Sequence, residues 1–174
     1  MRLSIRRAVP ADIDAILDIT HEAFHKYAFD LGASHSLSAL QEDRPALQAD
    51  LESKLVLLGM LDGQPVGSVR CEFLESGVAY FSRFGVKLHA QSCGMGGALV
   101  RSVVEACQQR HMRALALHTS AKMFSLVRFY YGKGFFIHST STARGYLRAL
   151  LIKELSAQPA DDVTDYSQLV PPGY

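Results

Sequence analysis

The hydrophobic positions of this chain change their period several times, and each change marks an element. Leu3 and Ile5 alternate with Ser4 and Arg6, the pattern of a short half-buried strand closed by Pro10. Ile13, Ile16, Leu17, Thr20 and Phe24 then share one helical face while Asp14, Asp18 and Glu22 share another, which predicts an amphipathic helix. Asp30 to Ser38 reads as loop. Asp43 followed by Pro45 has the chemistry of a helix start, and Leu47, Leu51 and Leu55 would fall at i, i+4 and i+8 behind it.

Three strands are predicted next, Lys54 to Leu61, Pro65 to Phe73 and Val78 to Val86, separated by the turn sequences Asp62-Gly63 and Glu75-Ser76-Gly77. They read as an antiparallel meander. Helical spacing resumes from Gly96 to Gln109, where Leu99, Val103, Ala106 and Cys107 oppose Arg101, Glu105 and Gln108. A short apolar strand from Ala114 to His118, a helix from Lys122 to Tyr131, and strands from Phe135 to His138 and Leu147 to Lys153 complete the set. From Ser156 the chain turns polar, with Pro159, Pro171 and Pro172, so 1–155 reads as one domain and 156–174 as a polar tail. This order implies an α/β fold: a mixed, mostly antiparallel central sheet of six to seven strands flanked by helices on both faces.

Composition narrows the partners. A chain of 174 residues is long enough for a domain that buries roughly 70% of its unfolded surface. With 18 Lys+Arg against 17 Asp+Glu the net charge is +1, so no global field marks a nucleic-acid or membrane binder. Three cysteines without C-x-x-C spacing, and an opening stretch lacking the apolar core of a signal peptide, point to a reducing cytoplasm. The longest apolar run, Leu55 to Leu61, is interrupted by Gly59 and far shorter than the roughly 20 residues of a membrane span.

The candidate chemistry concentrates in Gln91-Ser92-Cys93-Gly94-Met95-Gly96-Gly97, where small residues crowd the mouth of a predicted helix. A helix start leaves about four N–H groups without intrahelical partners and carries about half a positive charge, so it attracts anions. Glycines there let a phosphate approach the amides. The same glycines would also serve simply to pack a helix tightly on a sheet. The Rossmann fingerprint fits poorly, because three antiparallel strands precede the loop.

A second motif competes. His21-Glu22-Ala23-Phe24-His25 spells the H-E-x-x-H of zinc hydrolases, two imidazoles at i and i+4 with a Glu between. The metzincin extension demands Gly at 28 and His at 31, where this chain has Ala28 and Leu31. A third ligand would have to be Glu42 or Glu52, and the expectation is that no metal is bound.

The stretch Val86-Lys-Leu-His-Ala-Gln91-Ser-Cys-Gly94-Met-Gly96-Gly97-Ala-Leu99 resembles the V-x-P-x-x-[RQ]-x-x-G-x-[GA]-x-x-L signature of the GCN5-related N-acetyltransferase superfamily, with Leu88 in the Pro slot. Phe129-Tyr130-Tyr131-Gly132-Lys133-Gly134-Phe135 is similar to that family's [LF]-Y-x-x-x-G-F ending. The opening Ile5-Arg6-Arg7-Ala-Val-Pro-Ala-Asp12 and the closing strand Ala149 to Leu155 extend the likeness over about residues 3 to 155.

The resemblance implies the acyl-coenzyme A N-acyltransferase fold and a soluble enzyme that uses acetyl-coenzyme A as co-substrate, with a small-molecule or peptide amine as acceptor. No nucleic acid or membrane partner is implied, and a homodimer is one possibility. The amides of Ser92, Cys93, Gly94, Met95, Gly96 and Gly97, with Gln91, would hold the coenzyme's pyrophosphate, and Phe84, Gly85 and Val86 would pair with its pantetheine arm. Gly85, inside a strand, suits a bulge or a close backbone approach. Tyr130 matches the family's general acid, and a phenol of pKa about 10 is near a thiol in the range of about 8 to 9. Its other reading is core packing, since Met123, Leu126, Val127 and Tyr130 share a face. The Asn that relatives carry seven residues earlier is Met123 here, and no carboxylate stands in Ala79 to Arg83, where relatives often have a Glu. Glu72 and His118 are then the candidate bases. Cys93 beside the loop is a possible nucleophile, although the family transfers directly. These gaps leave a lapsed acyl-coenzyme A sensor as the alternative.

Overall fold

The computed structural model describes residues 1–32, 37–156, 164–171 and 173–174. Seven strands form one sheet in the order β1-β2-β3-β4-β5-β7-β6. They are β1 (Leu3–Arg7), β2 (Leu55–Leu61), β3 (Gln64–Phe73), β4 (Val78–Val86), β5 (Ala114–Ser120), β6 (Phe136–Ser141) and β7 (Arg148–Glu154); the helices are α1 (Ile13–Leu31), α2 (Arg44–Ser53), α3 (Met95–Gln109) and α4 (Phe124–Tyr131). The chain divides into two compact units, 1–72 with 82–103 and 73–81 with 104–174, and β4 and α3 each contribute residues to both. Residues 155 and 156 both fall in the second unit. Among the described residues no helix is long and apolar enough to cross a membrane.

In the first unit, β1 and β2 pair antiparallel from Leu3↔Leu61, and β2 and β3 from Leu55↔Cys71. Alternate strand residues point to opposite faces. Val56 and Leu58 therefore join Ile13, Ile16 and Ile19 of α1 and Leu47 of α2 in one cluster. Gly59 faces the other way: a Cβ there would lie 2.2 Å from the Met95 sulfur of α3. Helices thus cover both faces of these strands, as the period changes predict. Asp43 caps α2 by accepting the Ala46 N–H at 2.9 Å. Leu55, which the helical stripe and the predicted strand Lys54 to Leu61 both claim, opens β2, its main chain pairing with Cys71 once the helix ends at Ser53. The loop expected from Asp30 begins later, since α1 continues to Leu31 and stops at Gly32, whose φ of 64° only glycine adopts cheaply. Residues 33–36 of that loop lie outside the described residues.

In the second unit, β4 runs parallel to β5 over Val78↔Ala114 to Tyr80↔Ala116, and β7 lies antiparallel between β5 and β6. The alternating pattern of Val78, Tyr80, Ala114, Ala116, Leu150 and Ile152 makes one apolar face. Tyr166 and Val170 pack against that face, 2% and 7% exposed. The region expected to be a polar tail is thus in part core: the face would otherwise meet water, and the Tyr166 hydroxyl reaches the Glu154 carboxylate at 3.1 Å.

Candidate functional site

The chain's chemistry begins where β4 loses its regular course. Parallel pairing with β5 ends at Tyr80, and three residues later Arg83 takes φ 50°, a left-handed conformation that costs a non-glycine residue energy. Its side chain is tied down, with Nε 3.3 Å from Glu42 and Nη2 3.3 Å from the Ser38 hydroxyl. The sequence places the irregularity at Gly85. The structure gives Gly85 the other predicted duty, close approach: a Cβ there would sit 2.9 Å from the Ala23 Cβ of α1. Phe84 and Val86 flank it, half-buried.

After Val86 the chain makes a 3-10 turn, Leu88–Ala90, and the Leu88 N–H bonds the Glu22 carboxylate at 2.6 Å. Ser92 and Gly94 then adopt φ 66° and 90° and curl the segment into α3. The first bond of the helix main chain is Ala98 N–H to Gly94 carbonyl at 3.0 Å, so the amides of Met95, Gly96 and Gly97 have no intrahelical acceptor. No acidic side chain lies in the first turn of α3, and Gln91, Ser92 and Gly94 are exposed. The Met95 side chain is buried in the hollow left by Gly59 and Gly67, fixing where the helix begins. The glycines thus do different things: Gly59 and Gly67 admit Met95, while Gly94 makes the turn. The Cys93 thiol points back to the Ala90 carbonyl at 2.8 Å.

Tyr130 is buried at the end of α4, edge-on to Phe81 with ring centroids 6.2 Å apart, and packed on Phe129 and Phe135. Gly134, at φ 83°, turns the chain so that Phe135 donates to the Tyr130 carbonyl at 3.1 Å. Glu72 is half-buried and ion-paired with Lys54 at 3.5 Å. His118 stands within β5 rather than at its end, its Nδ1 2.8 Å from the Tyr80 hydroxyl. Burial first, then the nearby Arg148 and Arg144, push its pKa down to about 4, so the imidazole is neutral near pH 7. The sequence analysis missed these neighbours. The sequence shows only two arginines four apart beside Gly145; that Tyr80 shares a face with His118 follows from the pairing of β4 with β5.

In the H-E-x-x-H motif the Glu22 carboxylate has another partner, while the buried His21 Nε2 has no hydrogen-bond partner among the described residues. His21 and His25 lie edge to face with ring centroids 6.4 Å apart, and Glu22 holds the Leu88 amide. Glu42 is held by Arg70 and Arg83, and Glu52 accepts from Gln48 at 2.8 Å. Among the described residues no group of three or more His, Cys, Asp or Glu could hold a metal ion.

Comparison with known proteins identifies the family and the fold. The sequence profile of the acetyltransferase (GNAT) family matches residues 14–135. The fold is similar to that of the PaiA N-acetyltransferase of Thermoplasma acidophilum, solved in complex with coenzyme A, with TM-score 0.77 at 14% identity over 88% of this chain and 99% of that one. It is similar too to the ribosomal-protein-S18-alanine N-acetyltransferase of Escherichia coli, with TM-score 0.72 at 14% identity over 94% and 100%. A third likeness is to YncA of Salmonella typhimurium, a putative acetyltransferase solved with acetyl-CoA, with TM-score 0.72 at 17% identity over 94% and 100%. A search of curated protein sequences finds no match.

Proposed function

The chain belongs to the acetyltransferase (GNAT) family, and from that premise we propose that it moves an acetyl group from acetyl-coenzyme A to an amine by direct attack in a ternary complex. The observation that carries this reading is the start of α3. Three successive amides, Met95, Gly96 and Gly97, lack intrahelical acceptors, and they are reached through the left-handed Ser92 and Gly94 with no acidic side chain in the first turn of the helix. Such an end binds a diphosphate through its N–H groups and its dipole. The coenzyme carried by the PaiA and YncA structures supports the assignment. Gln91 to Gly97 would take the pyrophosphate, and Phe84, Gly85 and Val86 the pantetheine amides.

The bound coenzyme supplies an activated thioester. A neutral amine nitrogen of the acceptor, a small molecule or a peptide, forms the new C–N bond at the acetyl carbon while the C–S bond breaks. Tyr130 gives its phenolic proton to the departing thiolate, and the proton surplus on the new amide leaves to a base and restores the phenol overall. His118 is the base we assign: it is uncharged near neutral pH, whereas Glu72 is held by Lys54. Main-chain N–H groups of the kinked β4 would steady the developing oxyanion.

Calorimetry with acetyl-coenzyme A and a panel of amines tests the whole scheme. The expected result is coenzyme uptake, release of free thiol with at least one amine, and a kcat lowered about 10²- to 10⁴-fold by Tyr130→Phe with coenzyme affinity kept. Tight uptake without turnover on any amine would instead identify an acyl-coenzyme A sensor. No uptake at all overturns both.

A further inference from the structure

A phenol and an imidazole meet across two strands of the second unit. Tyr80 ends the parallel ladder of β4 opposite Ala116 of β5, and His118 lies two residues further along β5 on the same face. The Tyr80 side chain is fixed in place: it is 5% exposed, packed in the cluster of Val78, Ala114, Ala116 and Leu150, and its ring centroid lies 4.2 Å from that of Tyr174. Its hydroxyl stands 2.8 Å from His118 Nδ1, with the two rings tilted by 49°. Among the described residues the Tyr80 hydroxyl is the hydrogen-bond partner of this imidazole, and it engages Nδ1 rather than Nε2.

A neutral imidazole carries one N–H and one lone pair, and the bond made by one ring nitrogen decides the state of the other. The His118 ring is neutral near pH 7, because burial and then Arg148 and Arg144 hold its pKa down at about 4. Both of those charged neighbours are guanidiniums, which accept no hydrogen bond, whereas a hydroxyl oxygen does. The ring proton therefore finds its acceptor at Nδ1. We propose that Tyr80 is a positioning residue: its hydroxyl oxygen accepts the Nδ1–H of His118 and so leaves the Nε2 lone pair for the acceptor amine. The catalytic part of this role rests on the acetyltransferase reading with His118 as base; the tautomer does not. Nε2 takes the proton shed by the amine nitrogen as its bond to the acetyl carbon forms, and the Nδ1–H bond to Tyr80 is kept. The imidazolium then gives up the added proton as the Tyr130 phenol is restored.

Nitrogen NMR of the full chain near neutral pH reads the tautomer directly, the His118 signals being those missing from His118→Gln. The expected result is a protonated Nδ1 and an unprotonated Nε2 in the unaltered protein. Tyr80→Phe keeps the ring and its packing but removes the acceptor, so its proton should move toward Nε2. With acetyl-coenzyme A and an amine that releases thiol, Tyr80→Phe should lower kcat at least about tenfold, toward the about 10²- to 10⁴-fold that a positioned base contributes, with KM for the coenzyme unchanged. A merely packing role would lower the folded fraction and leave the tautomer where it was. Protonated Nε2 in the unaltered protein overturns the proposal, even if Tyr80→Phe fails to fold. The same tautomer in Tyr80→Phe as in the unaltered protein, or an unchanged kcat beside an inverted tautomer, overturns it as well. Should no amine release thiol, the transfer reading falls alone, because the tautomer is measured on the resting protein and still decides whether Tyr80 holds the ring.

Discussion

The main-chain N–H of Leu88 bonds the carboxylate of Glu22, 2.6 Å away. In the family signature this slot belongs to proline, which has no N–H to satisfy. Leucine brings a donor, and α1 supplies its acceptor. Lys87, at φ −54° and ψ 143°, already has the extended conformation that a residue before proline prefers. The acidic position of an apparent zinc motif is thus committed to the turn that leads into the α3 loop.

Glu22→Ala is accordingly expected to cost about 1.5–3 kcal/mol, the scale of a lost hydrogen bond to a charged group, and to weaken coenzyme binding. Leu88→Pro should be tolerated, because it falls on the first residue of the 3-10 turn. In the Leu88→Pro background Glu22→Ala should cost almost nothing. Urea denaturation of the four proteins measures the coupling, and additive costs would show that the bond carries no weight.

Arg70 is the largest buried cation, with a side chain 2% exposed, and it bonds Glu42 and Asp50. Burial alone would lower its pKa, but the two carboxylates outweigh that and raise it. Arg70→Leu leaves the buried Glu42 with Arg83 and the part-exposed Asp50 with Lys54 as their remaining partners, and should destabilise by about 3 kcal/mol, the low end for a broken buried ion pair. Arg70→Leu combined with Glu42→Leu should cost less than Arg70→Leu alone, which equilibrium unfolding at neutral pH will decide.

Gly85→Ala would place its new carbon 2.9 Å from the Ala23 Cβ. The helix backbone behind it, with the Ile19 carbonyl at 3.6 Å, leaves little room to yield. A loss of about 1–3 kcal/mol is expected from overpacking, together with weaker coenzyme uptake as β4 shifts. Ala23→Gly opens the space, so the double variant should bind coenzyme better than Gly85→Ala does; thermal unfolding and calorimetry provide the comparison.

His118 makes stability depend on pH in a defined direction. Its folded pKa, about 4, lies below the ordinary 6.5, through burial and then Arg148 and Arg144. As pH falls through 6.5 the unfolded chain takes up a proton that the folded one refuses until about pH 4. The His118 contribution is therefore full above 6.5 and is lost between 6.5 and 4. The His118→Gln variant should lack this component of the urea midpoint's pH dependence, and in Arg148→Gln the imidazole should titrate at higher pH by NMR.

Much of this molecule was legible in the residues themselves because the information is local. A change from period two to period 3.6 needs only neighbouring side chains, so the strands and helices emerge within a few residues of their ends, as does the Asp43 cap. The signature from Val86 to Leu99 is likewise contiguous, and a helix start exposes its amides whatever surrounds it. What the sequence left open depends on residues far apart in it. Nothing local says that β7 enters between β5 and β6, that the strain of β4 falls on Arg83 rather than Gly85, or that Glu22 serves Leu88 instead of a metal. Nor does a polar, proline-bearing segment announce that Tyr166 and Val170 will cover an apolar sheet face, or that Tyr174 will meet Arg148 and Tyr80. Those outcomes follow from burial and from the need of each buried donor for an acceptor, and only the packed chain decides which distant groups meet that need.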